Sequence, residues 1–268
     1  MSKKSQAKRA VNCNKNDGRK SKNSRNKVSR GHGSENENVF ELHSSSSPHT
    51  GTAYTTQRSQ TPLRPQTEAQ SYYINAIKTN CLTFGIGPAG TGKSYCAGAL
   101  AAEALESGKI DRIILTRPAV EAGEQLGFLP GALDEKFSVY IDAFRDILNE
   151  RLGSGTVEYN LRHGRIVAAP LAFMRGKTFS SRTFVILDEA QNTTISQMKM
   201  FLTRIGNDCK VVVNGDIKQS DIRGPNGLQD AVSRVKGLPS VYVHQFERDD
   251  IVRSGLVRHL MDRYEGDS

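Results

Sequence analysis

The sequence contains no tryptophan, aromatic residues make up only 7% of it, and its mean hydropathy is −0.50. A chain this poor in apolar bulk is not packed along its whole length. Its four cysteines, Cys13, Cys81, Cys96 and Cys209, stand 68, 15 and 113 positions apart, which excludes both a C-x-x-C zinc pair and a disulfide framework. Cys81 and Cys96 are expected to pack as small hydrophobes in a reduced compartment. The six histidines show no metal-ligand spacing. No apolar run approaches the roughly 18 residues of a membrane span, and no apolar segment follows the basic N-terminus as in a secretory leader. A cytoplasmic protein with no membrane partner is expected. There is no internal repeat, and 268 residues are enough to bury a substantial core.

Charge is divided sharply along the chain. Residues 1–30 hold seven Lys and four Arg against one acid, Asp17, while the whole chain carries +9, so everything beyond residue 30 sums to about −1. The pI of 9.4 therefore belongs to a tail rather than to a basic folded domain. From Met1 to Thr61 there is almost no apolar residue to offset the entropy of ordering, about 1–2 kcal/mol per residue for the backbone alone. Residues 1–62 read as a disordered basic and polar tail, able to hold nucleic acid or anionic lipid in a salt-dependent way. Residues 63–268 read as one domain.

Within that domain the pattern alternates. Apolar runs at Cys81–Ile86, Arg112–Thr116, Arg165–Ala169, Thr183–Leu187, Lys210–Val213 and Ser240–His244 predict strands. Helical spacing occupies Glu68–Ile77, Lys93–Ser107, Phe137–Leu152, Ile195–Ile205, Leu228–Lys236 and Arg253–Tyr264. Strands rich in Val and Ile with helices between them predict an α/β fold with a mostly parallel, doubly wound sheet.

The sharpest signal is Gly87, Pro88, Ala89, Gly90, Thr91, Gly92, Lys93 and Ser94, a full match to G-x-x-x-x-G-K-[ST] placed after a predicted strand and before a predicted helix. Such a loop turns its backbone N–H groups inward around a phosphate, and the helix that follows aims its positive end at the same point. Lys93 is positioned for the β- and γ-phosphates of ATP and Ser94 for Mg²⁺. The run Thr183–Leu187 ends in Asp188 and Glu189, the first suited to Mg²⁺ and the second to the attacking water. Lys210–Val213 leads into Asn214, Gly215, Asp216 and Gln219 at the ligand-binding edge of the same sheet, where Gln219 is placed to sense the γ-phosphate. Gln70, 17 positions before the loop, is a candidate for the adenine edge. Arg117, Arg175, Arg204, Arg223 and Arg253 compete for the role of transition-state arginine, and periodicity does not choose among them. Met198, Phe201, Leu202 and Ile205, behind the capping cluster Asn192-Thr193-Thr194, read as core.

The stretches GPAGTGKS (87–94), LTRPAVEAGEQLGFLPG (115–131), APLAFMRGKTF (169–179), VILDEAQNTTISQMKMFLTRIG (185–206), the NGD segment with Gln219 (214–219) and DIVRSGLV (250–257) together resemble the PhoH-like proteins, in the same order over residues 65–268. The resemblance implies a single RecA-like P-loop NTPase domain, similar to the first motor domain of superfamily 1 helicases, in a family linked to RNA metabolism. It implies an adenine-reading role for Gln70, a motif III role for Gly215, Asp216 and Gln219, contact with single-stranded nucleic acid after Arg117-Pro118-Ala119, and a catalytic role for Arg253. Ser254-Gly255 depart from the family's usual histidine and its neighbour, and Ser94 stands where many members have threonine. Because the chain carries one such domain, the other half of the ATP site is expected from a neighbouring subunit, as in family members that form hexameric rings. Residues 1–60 hold four acids and no apolar core, which does not fit the PIN nuclease domain of some relatives.

The reading is Mg²⁺-dependent ATP hydrolysis coupled to single-stranded RNA or DNA in an oligomer. The alternative is an ATP-dependent nucleic-acid-binding scaffold with negligible turnover, against which Glu189 speaks; a small-molecule kinase fits the Asp188-Glu189 pair less well.

Overall fold

The structure is a computed structural model and describes residues 61–118, 133–222 and 224–252, together with positions 255 and 263. For residues 133–140 it describes the backbone. The predicted tail, the segment after Pro118, Arg223, Arg253 and the predicted C-terminal helix lie outside the described residues, apart from single positions.

Six strands form the sheet: β1 (Leu82–Ile86), β2 (Arg112–Arg117), β3 (Ile166–Pro170), β4 (Thr183–Leu187), β5 (Lys210–Gly215) and β6 (Val241–Gln245). They lie in the order β3-β2-β4-β5-β1-β6, and every pairing is parallel. All six coincide with predicted strands to within two residues.

The helices are α1 (Glu68–Thr79), α2 (Lys93–Glu106), α3 (Leu133–Leu152), α4 (Ser154–Arg162), α5 (Ile195–Leu202) and α6 (Gly227–Val235). Side chains that alternate along a strand enter opposite cores. In β4, Phe184 and Ile186 join Tyr73, Leu100, Phe144 and Leu148 under α1–α3. Val185 and Leu187 join Met198, Phe201, Leu228 and Val235 under α5 and α6. Covered on both faces, the central strands have no polar side to alternate, and β1 and β4 are buried at every position.

Local chemistry sets the helix starts. Thr67 accepts from Gln70 N to cap α1, Thr194 and Gln197 form a capping box on α5, and Asn226 accepts from Leu228 N and Gln229 N on α6. Met198 and Phe201 are core as expected, while Leu202 and Ile205 are partly buried against it. The helix α4 has no counterpart in the expected elements. Cys96 is buried, and burial pushes its thiol up to about 12. Cys81 corrects the expectation: one residue ahead of β1, it is exposed.

Candidate active site

The turn between β1 and α2 carries residues 87–94, and its conformation depends on two glycines. Gly92 has φ 84°, and a Cβ there would meet Gln70 Nε2 at 2.6 Å; Gly87 has φ 137°, and a Cβ there would meet the Phe246 carbonyl oxygen at 2.4 Å. The loop is therefore pressed between α1 on one side and the chain leaving β6 on the other. Gln70 fixes the first side: Nε2 donates to Thr91 O at 3.1 Å, and Oε1 accepts from Gln66 N at 2.8 Å. On the second side Phe246 N donates to Ile86 O and Val252 N donates to Gly90 O. Arg253 follows Val252 directly, so the backbone is brought to the loop one residue before it.

Inside the turn, the Lys93 ammonium donates to Gly87 O at 2.7 Å, to Pro88 O at 2.6 Å and to Thr91 Oγ1 at 3.2 Å. Its Nζ lies 5.9 Å from the centroid of the Phe246 ring. Burial lowers the Lys93 pKa from 10.5 to about 8, a shift that the charges of Asp216, Asp188 and Glu189 partly oppose.

The acids arrive from β4. Asp188, 3% exposed, accepts from Ser94 Oγ at 2.8 Å and from the Arg117 guanidinium at 2.6 Å. A hydroxyl and a carboxylate from two different elements thus converge on one point, the oxygen-donor pair a divalent cation needs. Arg117, one of the candidate transition-state arginines, is engaged with Asp188. Glu189 has φ 55°, a left-handed conformation uncommon for a residue with a Cβ. Its carboxylate accepts from Gln191 Nε2 at 2.7 Å, while Gln191 Oε1 accepts from Asp216 N at 3.1 Å. Gln191 therefore ties the end of β4 to the end of β5.

The sheet order explains why these groups meet. Strand β5 lies between β1 and β4, so Gly215 and Asp216 fall between the loop and the two acids, at the carboxyl edge where open α/β sheets bind ligands. Ala89, Gly90, Gly92, Lys93, Ser94, Asp188, Glu189, Gly215, Asp216 and Gln219 line one cavity of about 240 Å³, with Tyr95 at its side. The structure brings the loop, the acids and Gln219 to this cavity and places Gln70, the candidate for the adenine edge, against the loop backbone outside that lining. The sequence reading missed Gln191, a buried side chain within a polar run that carries no periodicity. It also missed the Arg117–Asp188 pair, since nothing in the spacing joins residues on neighbouring strands.

The family described as PhoH-like protein matches residues 62–265. The chain belongs to that family. Among its PhoH-like relatives are a protein of Mycobacterium tuberculosis (strain ATCC 25618 / H37Rv), 48% identical over 204 residues, which are 75% of this chain and 58% of that protein. The PhoH-like protein of Bacillus subtilis (strain 168) is 48% identical over 205 residues, 76% of this chain and 64% of that one. Protein PhoH of Escherichia coli (strain K12) is 46% identical over 211 residues, 77% and 59%. The chain spans less than two thirds of the length of each of these relatives. Among solved structures, the Pif1 helicase of Candida albicans is 12% identical, with 70% of this chain and 41% of that one covered and a TM-score of 0.36. The PhoH-like domain is an α/β domain with a six-stranded, all-parallel sheet. Among the described residues, no helix is long and apolar enough to cross a membrane.

Proposed function

We propose that this PhoH-like protein hydrolyses ATP with Mg²⁺ and couples that reaction to single-stranded RNA or DNA. The observation that carries the reading is the convergence of Lys93, Ser94, Asp188, Glu189 and Gln219 on one cavity, with the metal-type donors and the water-positioning acid on separate oxygens of separate residues. A loop whose ammonium is folded onto its own carbonyls has a cationic group ready to exchange those partners for phosphate oxygens. Bound Mg²⁺ would neutralise charge on the terminal phosphates, with Ser94 and Asp188 as its protein ligands. Glu189 orients and deprotonates the attacking water, and the Gln191 amide keeps that carboxylate aimed. Gln219 reads the γ-phosphate from the end of β5.

Gln70 and Arg253 belong to the same proposal. Gln70 braces the loop and retains a second Nε2 proton for the adenine edge. Arg253, next to the residue that bonds Gly90 O, acts on the developing charge within its own site or, in an oligomeric ring, that of a neighbour. A domain boundary near residue 63 and a cytoplasmic location go with this reading.

The test is steady-state hydrolysis with Mg²⁺, with and without single-stranded RNA and DNA. Glu189→Gln should keep ATP binding and lose about 10²–10⁴ in turnover, and stimulation by one polymer would name the track. Turnover by Glu189→Gln equal to the parent would remove Glu189 from its role, and tight binding with no turnover in any condition would leave an ATP-dependent scaffold.

A further inference from the structure

Polar side chains line up across the carboxyl end of the sheet, inside the layer under α1–α3. Ile186 of β4 and Val212 of β5 are partners in the register, and both belong to that core. Two residues further along, on the same face, stand Asp188 and Asn214. The ladder still holds at this level: Asp188 N donates to Thr116 O, and Asn214 is paired with Gly85 of β1. Asp188 and Asn214 are therefore neighbours on adjacent strands, about 5 Å apart in the hydrogen-bonding direction. Both are buried.

The Asn214 amide is held one way round. The Tyr73 hydroxyl donates to Asn214 Oδ1, and a Cβ at Gly85 would meet that oxygen and the hydroxyl oxygen at 2.8 Å each. The bare backbone of Gly85 is thus the space this pair fills, on the β1 side of Asn214. Tyr73 is fully buried, with its ring between those of His244 and Phe246. Burial raises its pKa well above the ordinary tyrosine value, so the hydroxyl keeps its proton and needs an acceptor. With the oxygen of the amide turned to Tyr73 and β1, the NH₂ group is directed to the opposite side, where β4 and Asp188 lie. Asn214 Nδ2 is buried and has no hydrogen-bond partner. A buried amide donor without an acceptor is costly, and folded proteins keep few of them.

The acceptor one strand away is the Asp188 carboxylate. Ser94 Oγ donates to its Oδ1 and Arg117 to its Oδ2, and each carboxylate oxygen can accept more than one bond. The two kinds of donor differ in how freely they move. The Arg117 side chain is 28% exposed and carries the charge that a cation held by Ser94 and Asp188 would repel. Asn214 is neutral, enclosed and fixed by Tyr73. Arg117 is the donor that can leave, and Asn214 the donor that stays.

We infer that Asn214 is a positioning residue for Asp188, its Nδ2–H donating to the carboxylate when Arg117 gives that carboxylate up to a divalent cation. The inference rests on the proposed metal role of Asp188 and adds the group that keeps the carboxylate aimed once its charged partner has gone. Tyr73 acts through Asn214, by setting which end of the amide faces β4. It stands one turn after Gln70 on α1, so a single helix braces both the phosphate loop and the acid opposite it.

The experiment uses the full chain labelled with ¹⁵N at asparagine and follows the Asn214 side-chain amide, assigned by its proximity to the Tyr73 ring. Arg117→Ala alone, without metal or nucleotide, should move one Asn214 amide proton downfield, and Arg117→Ala/Asp188→Ala should return it. In the parent the same shift should appear on titration with Mg²⁺ and a non-hydrolysable ATP analogue. Mn²⁺ affinity in the presence of the analogue, read from the free-ion paramagnetic resonance signal, should fall about 10- to 100-fold in Asn214→Ala. Binding of the analogue in EDTA should match the parent. Tyr73→Phe, which keeps the donor and releases its orientation, should lose less Mn²⁺ affinity than Asn214→Ala. Thermal midpoints confirm folding of each variant. An Asn214 amide that responds neither to Arg117→Ala nor to Mg²⁺ with the analogue, in a parent that binds Mn²⁺, would overturn the inference and leave the metal role of Asp188 standing. A parent that binds no Mn²⁺ with the analogue present would overturn that role and the inference with it.

Discussion

Lys93 makes the pH dependence of nucleotide binding a sharp measure of how the loop works. Its amine is held among carbonyls in a buried pocket, and burial brings its pKa to about 8. Phosphate binding needs the ammonium and stabilises it, so above pH 8 each binding event takes up a proton from solution. The dissociation constant should then be flat below pH 8 and rise towards tenfold per pH unit above it. Starting at pH 7.5, where a terminal phosphate with a second pKa of about 6 is already ionised, the loss is about eightfold at pH 9 and about 25-fold at pH 9.5, or roughly 1–2 kcal/mol. Calorimetric titration with a non-hydrolysable ATP analogue and Mg²⁺, repeated in two buffers of different ionisation enthalpy, measures both the affinity and the proton uptake. Lys93→Arg, which does not titrate in this range, should give a flat profile. A parent profile that is flat to pH 9.5 would refute the argument, since it would put the amine back near 10.5. The stability of the unliganded protein should follow the opposite trend. The folded pKa lies below the unfolded one, so between about pH 8 and 10.5 the unfolded chain binds more protons and stability rises with pH. The burial penalty relieved across that window is about 3 kcal/mol.

Two further predictions concern the groups around the acids. Arg117→Ala should destabilise the unliganded protein by about 1–3 kcal/mol, because Asp188 keeps its burial and loses its charged partner; MgCl₂ should raise the thermal midpoint of the variant more than that of the parent, and equal shifts would mean that Arg117 does not compete with the cation for that oxygen. Gln191→Ala should lower kcat about tenfold with KM for ATP unchanged, and Gln191→Glu should lower it further by repelling Glu189; a rise in KM at constant kcat would place Gln191 in binding instead.

How much of this was legible in the sequence depended on the kind of interaction. Strands β1, β4 and β5 announced themselves because burial on both faces demands unbroken runs of Val, Ile and Leu, and the loop because its glycines must stand at fixed positions before a lysine. Helix α4 was hidden for the converse reason. Ser154–Arg162 follows Gly153, contains Gly155, and has only Val157 and Leu161 as aliphatic residues; it is held by the burial of Val157 and Asn160, a contact made by the finished fold. Cys81 was misplaced because an apolar run does not mark which of its ends lies inside the sheet. Arg117 was invisible as a partner of Asp188, since that bond joins groups that only the strand order brings together, and Gln191 as a partner of Glu189, since their bond depends on the left-handed turn at Glu189. Gln70 was found as a residue and is now seen to press on the loop backbone through Thr91.

The position of β1 has a consequence for the order in which the molecule is made. The strand that carries the phosphate loop is the first of the six in the chain, yet its two neighbours are β5 and β6, the last two. On a ribosome its edges stay unpaired until Lys210 and the residues after it have emerged, and the bond from Val252 to Gly90 closes later still. Parallel pairings of such wide sequence separation form slowly, and an early strand of Leu-Thr-Phe-Gly-Ile with both edges open is exposed to wrong partners while it waits. ATP cannot guard it during that interval, because the cavity also needs Gly215, Asp216 and Gln219 from the end of β5. Ligand protection during biosynthesis should therefore begin abruptly, when β5 and β6 close around β1, rather than build up as the chain lengthens.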